Sequence, residues 1–325
     1  MTGLFESLIN GIYGFVGNYG VAIVLLTLLV RLVLLPLDIK SRRSMRAMNR
    51  VQPKMQALQK KYAKDKEKLN QKMSELYKKE HVSPLSGCLP MLIQLPLLMI
   101  MFTAMRNLAT AETGKMLESL FNQLINNGGA DGVGALANMQ GFLWIKNVFQ
   151  PDSFANGILP SFANALKSVH AYNSSFVAPE NLEGMYNAYL AAHYGAGQFI
   201  NVSIIMWTLR VPASFYALLH YANGLFILPL FAAVSQLFMT KLTAPQQAPQ
   251  QPADPNSPAN MMNSGLMKWM FPLMSLYFCA SYNAAFAMYW ATGNIIAMVE
   301  QVAINKYLDI AEKKNAPIEV TSEEE

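Results

Sequence analysis

Apolar residues run in long blocks along this chain, and segments dense in charge or proline cut the blocks apart. Crossing a bilayer as a helix takes about 20 apolar residues. Five blocks meet that length or approach it: 20–37, 87–105, 224–240, 266–282 and 284–304. Only Ser281, Tyr282 and Asn283 mark the bend between the last two, which therefore predict a tight hairpin of spans. Ahead of the first block, Leu4, Phe5, Leu8, Ile9, Ile12, Tyr13 and Val16 recur at helical spacing. Residues 1–19 accordingly predict an amphipathic helix lying on the membrane surface. The pattern as a whole predicts an all-α integral membrane protein, a bundle of five transmembrane helices.

The segments between the blocks set the orientation. Residues 38–84 hold 14 basic and 5 acidic residues and place that loop in the cytoplasm. Its apolar residues fall at spacings of three, four and seven, which suits a helical hairpin with a narrow seam, turning near Asp65-Lys66. Residues 106–223 carry 5 basic and 6 acidic residues and belong outside. Residues 241–265 contain Gln-Ala-Pro-Gln-Gln-Pro-Ala-Asp-Pro, a cytoplasmic Pro/Gln-rich linker, and 305–325 form a short cytoplasmic tail. The N-terminus is then outside. Residues 199–219 are the one ambiguity. They are apolar enough to span apart from Arg210 and Pro212, which would invert every later span; an outer-surface segment is the preferred reading.

Composition agrees with a membrane setting, with 53% hydrophobic and 14% charged residues where soluble domains carry about a quarter charged. The net charge of +5 is concentrated beside a span and does not by itself indicate nucleic acid. Two cysteines and four scattered histidines give no disulfide framework, metal spacing or cofactor motif. No nucleotide loop, nucleophile elbow or acid–base pair is present, so no enzyme is expected.

Helical rise gives each polar residue in a span a depth. Arg31, Gln94, Gln236, Ser275 and Asn294 then lie at nearly one level in the cytoplasmic half of the bilayer, one from each span. Thr27 lies one turn outward of Arg31, with Tyr289 and Trp290 at its depth. Polar groups facing lipid are costly, so this set should face itself or a wet cavity. Each has a blander reading: Arg31 snorkelling to inner headgroups, the amides as glue between helices, and the aromatics as an interfacial belt. The spans contain no Asp and only Glu300 among the acids, so Arg31 reads as a positive charge without a carboxylate partner.

Leu-Thr-Leu-Leu-Val-Arg-Leu-Val-Leu-Leu-Pro-Leu (26–37) and Gly-Cys-Leu-Pro-Met-Leu-Ile-Gln-Leu-Pro (87–96) resemble signatures of the YidC/Oxa/Alb family of membrane-protein insertases. So do Phe142-Leu-Trp-Ile145 with Pro151-Asp152, then Leu228-Pro229, Pro272, and Met288-Tyr-Trp290 with Asn294. The resemblance implies five core helices around a hydrophilic groove open to the cytoplasm, a cytoplasmic helical hairpin, and insertion of nascent membrane proteins without ATP. It carries over Arg31 as the groove charge, with Thr27, Gln94, Asn294, Tyr289 and Trp290 as client contacts. It implies a plasma-membrane protein of Gram-positive type, because the large periplasmic domain of Gram-negative members is absent from this sequence; the lipoprotein cysteine common in the Gram-positive group is absent as well, which departs from that group's pattern. Glu300 stands where the family often has Gln. The tail is not basic, so Arg42, Arg43, Arg46, Arg50, Lys54, Lys60 and Lys61 are the candidates for a cytoplasmic partner. The partners expected are nascent membrane proteins, membrane lipids, the ribosome and a Sec-type translocon, with no small-molecule substrate. No role is assignable to residues 153–222. Three rivals stand beside this reading: a channel or transporter, a scaffold that recruits a partner through the basic loop, and, behind these, a nucleic-acid binder whose basic loop touches ribosomal RNA.

Overall fold

The computed structural model describes residues 2–82, 89–136, 139–204, 207–243 and 265–314. Cys88, most of the linker expected over 241–265 and residues 315–325 of the tail lie outside the described residues. Ten α-helices and one antiparallel pair of β-strands are described. The helices are α1 (Thr2–Val16), α2 (Tyr19–Lys61), α3 (Lys66–Lys79), α4 (Leu89–Asn126), α5 (Phe162–Tyr172), α6 (Leu182–Tyr194), α7 (Phe215–Tyr221), α8 (Ile227–Thr243), α9 (Gly265–Ser281) and α10 (Ala284–Lys314). By length and composition α2 is long and apolar enough to cross a membrane, while Ile227–Met239 and Trp269–Ser281 are shorter apolar helices.

Two helices run on past the apolar blocks read from the sequence. Helix α4 continues 21 residues past 105, because nothing in 106–126 breaks it and Leu108, Leu117, Leu120, Phe121 and Leu124 bury one face. Helix α10 likewise runs on to Lys314. The turn after α2 falls at 62–65, where Asp65 caps α3 by accepting from the Lys68 N–H at 3.0 Å.

The described chain is mostly helical, in keeping with an all-α membrane protein, and carries one pair of strands in addition. Strand β1 (Phe199–Ile204) pairs antiparallel with β2 (Trp207–Pro212), with Asn201 opposite Arg210. Helix α7 follows. A transmembrane helix over 199–219 is thereby excluded. Two runs rich in β-branched and aromatic residues, with Pro212 closing the second, favour strands over a helix of 21 residues.

The chain divides into two compact units. The first comprises Met1–Leu29 and Met99–Asn294, the second Val30–Leu98 and Ile295–Glu325. The first unit contains a small core outside the apolar blocks, built from Leu117, Leu120, Phe121 and Leu124 of α4 with Ala165, Val169, Leu182, Tyr186 and Tyr189. The Tyr186 and Tyr189 hydroxyls donate to the carbonyls of Pro160 and Gly134 at 3.0 and 3.1 Å. Buried tyrosines keep a polar end that needs a partner, and here each has one.

Within the same unit, residues 140–152 form a plate that holds the starts of three helices. The Asn18 amide, just before α2, donates to the Gly141 carbonyl at 2.9 Å, and the Phe142 ring lies where a Cβ on Gly20 would be. Asp152 is fully buried and accepts from the backbone N–H of Phe226 at 3.1 Å and of Leu228 at 2.7 Å, at the start of α8. The Ala284 and Ala285 N–H groups, opening α10, donate to the Gln150 and Val148 carbonyls at 2.8 Å each. The first N–H groups of a helix have no partner inside it. Here the plate supplies them at α8 and α10, so α2, α8 and α10 all leave it by their N-terminal ends.

Candidate functional site

The polar residues singled out in the apolar helices fall in both units. In the first unit, Asn294 Nδ2 donates to Ser235 Oγ at 2.8 Å, linking α10 to α8. Ser235 is buried. Sequence reasoning missed it, although it is the residue next to Gln236. Gln236 itself is half-buried on the adjacent face. Thr27 is buried, and its hydroxyl donates back to the Ile23 carbonyl of its own helix at 2.7 Å. Ser275 is buried on α9, one turn from Cys279. Tyr289 is buried and Trp290 half-buried; the Phe286 ring packs near both, at 6.5 and 5.8 Å between centroids, and against Phe102 at 5.4 Å. The structure thus joins Asn294 to α8 and gathers the aromatic residues into one cluster.

In the second unit, Arg31 and Gln94 are both half-buried. Here the cation expected without a carboxylate partner has two carboxylates in its surroundings. Arg31 lies within electrostatic reach of Asp38 and of Glu300, and Arg42 shares the same surroundings. The signal was present in the sequence: Asp38 is two helical turns beyond Arg31 and one turn before Arg42, so all three share a face. It was missed because Asp38 falls one residue past the apolar block. Burial pushes the Asp38 carboxyl above its ordinary value, against the downward pull of Arg31 and then Arg42. Burial also lowers the Arg42 guanidinium, which Asp38 and Glu300 oppose.

The basic residues proposed to meet a cytoplasmic partner divide by their neighbours. Arg46 pairs with Asp309 at 2.7 Å and donates to the Asn305 carbonyl at 2.8 Å. Lys54 pairs with Glu80 at 2.6 Å, closing the α2–α3 hairpin and holding the Glu80 carboxyl below its usual range. Arg43, Arg50, Lys60 and Lys61 are exposed, with the Lys61 ammonium 5.6 Å from the Tyr62 ring centre.

Apolar side chains on four of these helices face outward in rows at helical spacing. Leu230, Phe231, Val234 and Phe238 on α8 are exposed, as are Met270, Leu273 and Tyr277 on α9 and Ile295, Val299 and Val302 on α10. Leu25, Leu28, Leu29, Leu32 and Val33 do the same on α2. Exposed apolar surface on this scale marks a membrane or an interface.

Comparison with known proteins gives a consistent picture. The family model described as "60Kd inner membrane protein" matches residues 11–313. A Chlorobaculum tepidum protein named membrane protein insertase YidC is 26% identical over 313 residues, covering 96% of this chain and 37% of that protein. A protein of the same name from Rickettsia massiliae is 26% identical over 298 residues, covering 92% and 37%. The one from Fusobacterium nucleatum subsp. nucleatum is 44% identical over 100 residues, covering 31% and 49%. The chain spans less than half the length of each of these relatives.

Proposed function

The chain belongs to the 60Kd inner membrane protein family, that of the YidC insertases, and from that membership we propose that it inserts nascent membrane proteins into a bacterial plasma membrane and helps them fold. The observation that carries the reading is the match from residue 11 to 313, which takes in every apolar helix. The outward rows of apolar residues on α2, α8, α9 and α10 support a membrane setting. In this proposal the five blocks cross the bilayer, with the N-terminus outside and residues 38–84 and the C-terminus in the cytoplasm. The plate of residues 140–152 then lies at the outer end of three spans.

The proposed mechanism uses no nucleotide. A client's apolar segment slides along the spans, and its polar outer flank is drawn in by Arg31. Thr27, Gln94, Gln236, Ser275, Tyr289, Trp290 and Asn294 are the positions that client meets. Burial of the client's apolar surface in lipid drives its exit. The exposed cations Arg43, Arg50, Lys60 and Lys61 are where a ribosome would engage, and a Sec-type translocon is a further partner in this proposal.

The test is to deplete a host's own insertase and express this chain as wild type and as Arg31→Ala. Insertion of a one-span protein with an acidic outer tail is then scored. Rescue by wild type but not by the variant supports both the function and the role of Arg31. Rescue by both retains the function and assigns Arg31 a snorkelling role. Failure of a well-expressed wild type favours the scaffold reading.

A further inference from the structure

We propose that β1, β2 and α7 form an outer-leaflet anchor, a second apolar device that rests flat on the lipid surface rather than crossing it. The inference rests on the membrane reading above and concerns a segment to which the family resemblance assigns no role.

Three observations place it. Helix α7 exposes Phe215 (73%), Tyr216 and Leu219, which fall on one face at i, i+1 and i+4, while Ala217 is buried beneath. Ile200 and Val202 of β1 are exposed as well. Aromatic rings at an apolar surface are the usual occupants of the membrane–water boundary, and the Tyr216 and His220 rings stack here at 4.0 Å. Residues 199–240 contain a single charged residue, Arg210, whose guanidinium lies 4.6 Å from the Phe199 ring centre.

The level of α7 is fixed by the plate. Lys146 donates to the Leu219 and Ala222 carbonyls at 2.6 and 2.8 Å, satisfying the C-terminal end of α7. Lys146 belongs to the same segment that holds the starts of α2, α8 and α10. Asn223 pins the next residue, donating to the Asn147 and Pro151 carbonyls at 2.9 Å each. Helix α7 therefore sits where the apolar helices begin.

The occupant follows from continuity. Five residues, 222–226, separate α7 from α8, a reach of at most ~18 Å. Leu225 and Ile227 are exposed across that join, and the row continues as Leu230, Phe231, Val234 and Phe238. One apolar surface thus runs from α7 down the outward face of α8. Lipid covers the α8 part in the proposed setting, and the same lipid covers α7 at its rim. An amphipathic element held at this depth buries its apolar face about 5–10 Å into the headgroup boundary.

The experiment uses the full chain in liposomes, with Cys88→Ala and Cys279→Ala as background and single nitroxide labels at Phe215→Cys, Leu219→Cys, Val234→Cys and Val177→Cys. Val177 is exposed on the loop between α5 and α6 and reports water. Collision with oxygen, which partitions into lipid, is compared with collision with a polar nickel chelate. The expected result is high oxygen and low nickel accessibility at 215, 219 and 234, with the reverse at 177. If 215 and 219 behave like 177 while 234 remains lipid-exposed, the anchor is overturned and the membrane reading stands. If 234 is also open to nickel, the membrane reading itself fails. Shielding of 215 and 219 from both reagents overturns the lipid occupant in favour of a protein partner or second copy. Two labelled sites on one exposed face keep the test independent of how either substitution is tolerated.

Discussion

Asn294 and Ser235 are hydrogen-bonded to each other across two apolar helices, amide to hydroxyl, at 2.8 Å. In the interior of a membrane protein such a bond is worth about 0.6–2 kcal/mol, and removing one partner strands the other. Asn294→Leu and Ser235→Ala should each lower the unfolding midpoint in detergent–denaturant titrations. The double variant should lose less than the sum, with a coupling of about 1 kcal/mol. Strict additivity would mean that the two residues act separately, and that Asn294 is held for contact with a client instead.

Asp152 ties the plate to the start of α8. Its carboxylate accepts from two backbone N–H groups that open α8 and from Trp144 Nε1 at 3.3 Å. Hydrogen bonds to a charged group are worth about 1.5–3 kcal/mol, so Asp152→Ala should destabilise by about 3 kcal/mol or more. Asp152→Asn can keep one acceptor but must turn an N–H toward a second donor, so it should fall between. Gly224→Ala should be nearly as damaging as Asp152→Ala, because the added Cβ collides with the Asp152 carboxylate. Thermal unfolding of the three variants in detergent ranks them. A wild-type midpoint for Asp152→Ala would show that the plate does not hold α8.

Helix α1, the apolar helices and the α2–α3 pair fall where local periodicity and charge pointed to helix, since each of these signals is carried by neighbouring residues. Family membership was legible from short motifs around Arg31, Gln94 and Trp290. What could not be read locally are pairings between distant segments. Asp152 with 226 and 228, Lys146 with the end of α7, and Ser235 with Asn294 are separated by 59 to 76 residues. Residues 199–219 read as an outer-surface segment with a span as the alternative, because an apolar run of that length satisfies a span by composition, and the pairing of β1 with β2 is what separates the two. Asp38 was lost at a boundary drawn by hydropathy, although its spacing from Arg31 and Arg42 is itself a helical signal.

Asp38 should give the fold a pH dependence. Its carboxyl is raised above its ordinary value of 3.8, chiefly by burial. A raised acid holds its proton more tightly folded than unfolded. The resulting stabilisation is complete below the ordinary value and is lost as pH rises through the folded one. Stability should therefore fall as pH rises out of the acid range, over a window that begins near pH 4. Asp38→Asn should flatten that part of the profile and leave the variant at least as stable as wild type at pH 7. Unfolding midpoints from pH 3.5 to 8 measure both. An equal slope in the variant would assign the dependence to another group.

If Arg31 draws a client as proposed, Glu300 should set how strongly. The two residues share a neighbourhood with Asp38 and Arg42, so the formal charges of the four cancel when all are ionised. If Arg31 draws an acidic outer flank, the Glu300 carboxylate competes for the same cation and repels the same client. Removing a partly screened pair interaction of about 1 kcal/mol corresponds to about fivefold in client capture. Glu300→Gln should accordingly increase insertion of an acidic-tailed client by up to that factor and leave a client with a neutral tail unchanged. Arg31→Ala with Glu300→Gln should behave as Arg31→Ala alone, since the carboxylate acts through the arginine. Loss of insertion in Glu300→Gln, equal to that of Arg31→Ala, would instead make Glu300 the residue that positions Arg31. Scoring both clients in the same insertase-depleted cells separates attraction from placement, because only attraction depends on the charge of the tail.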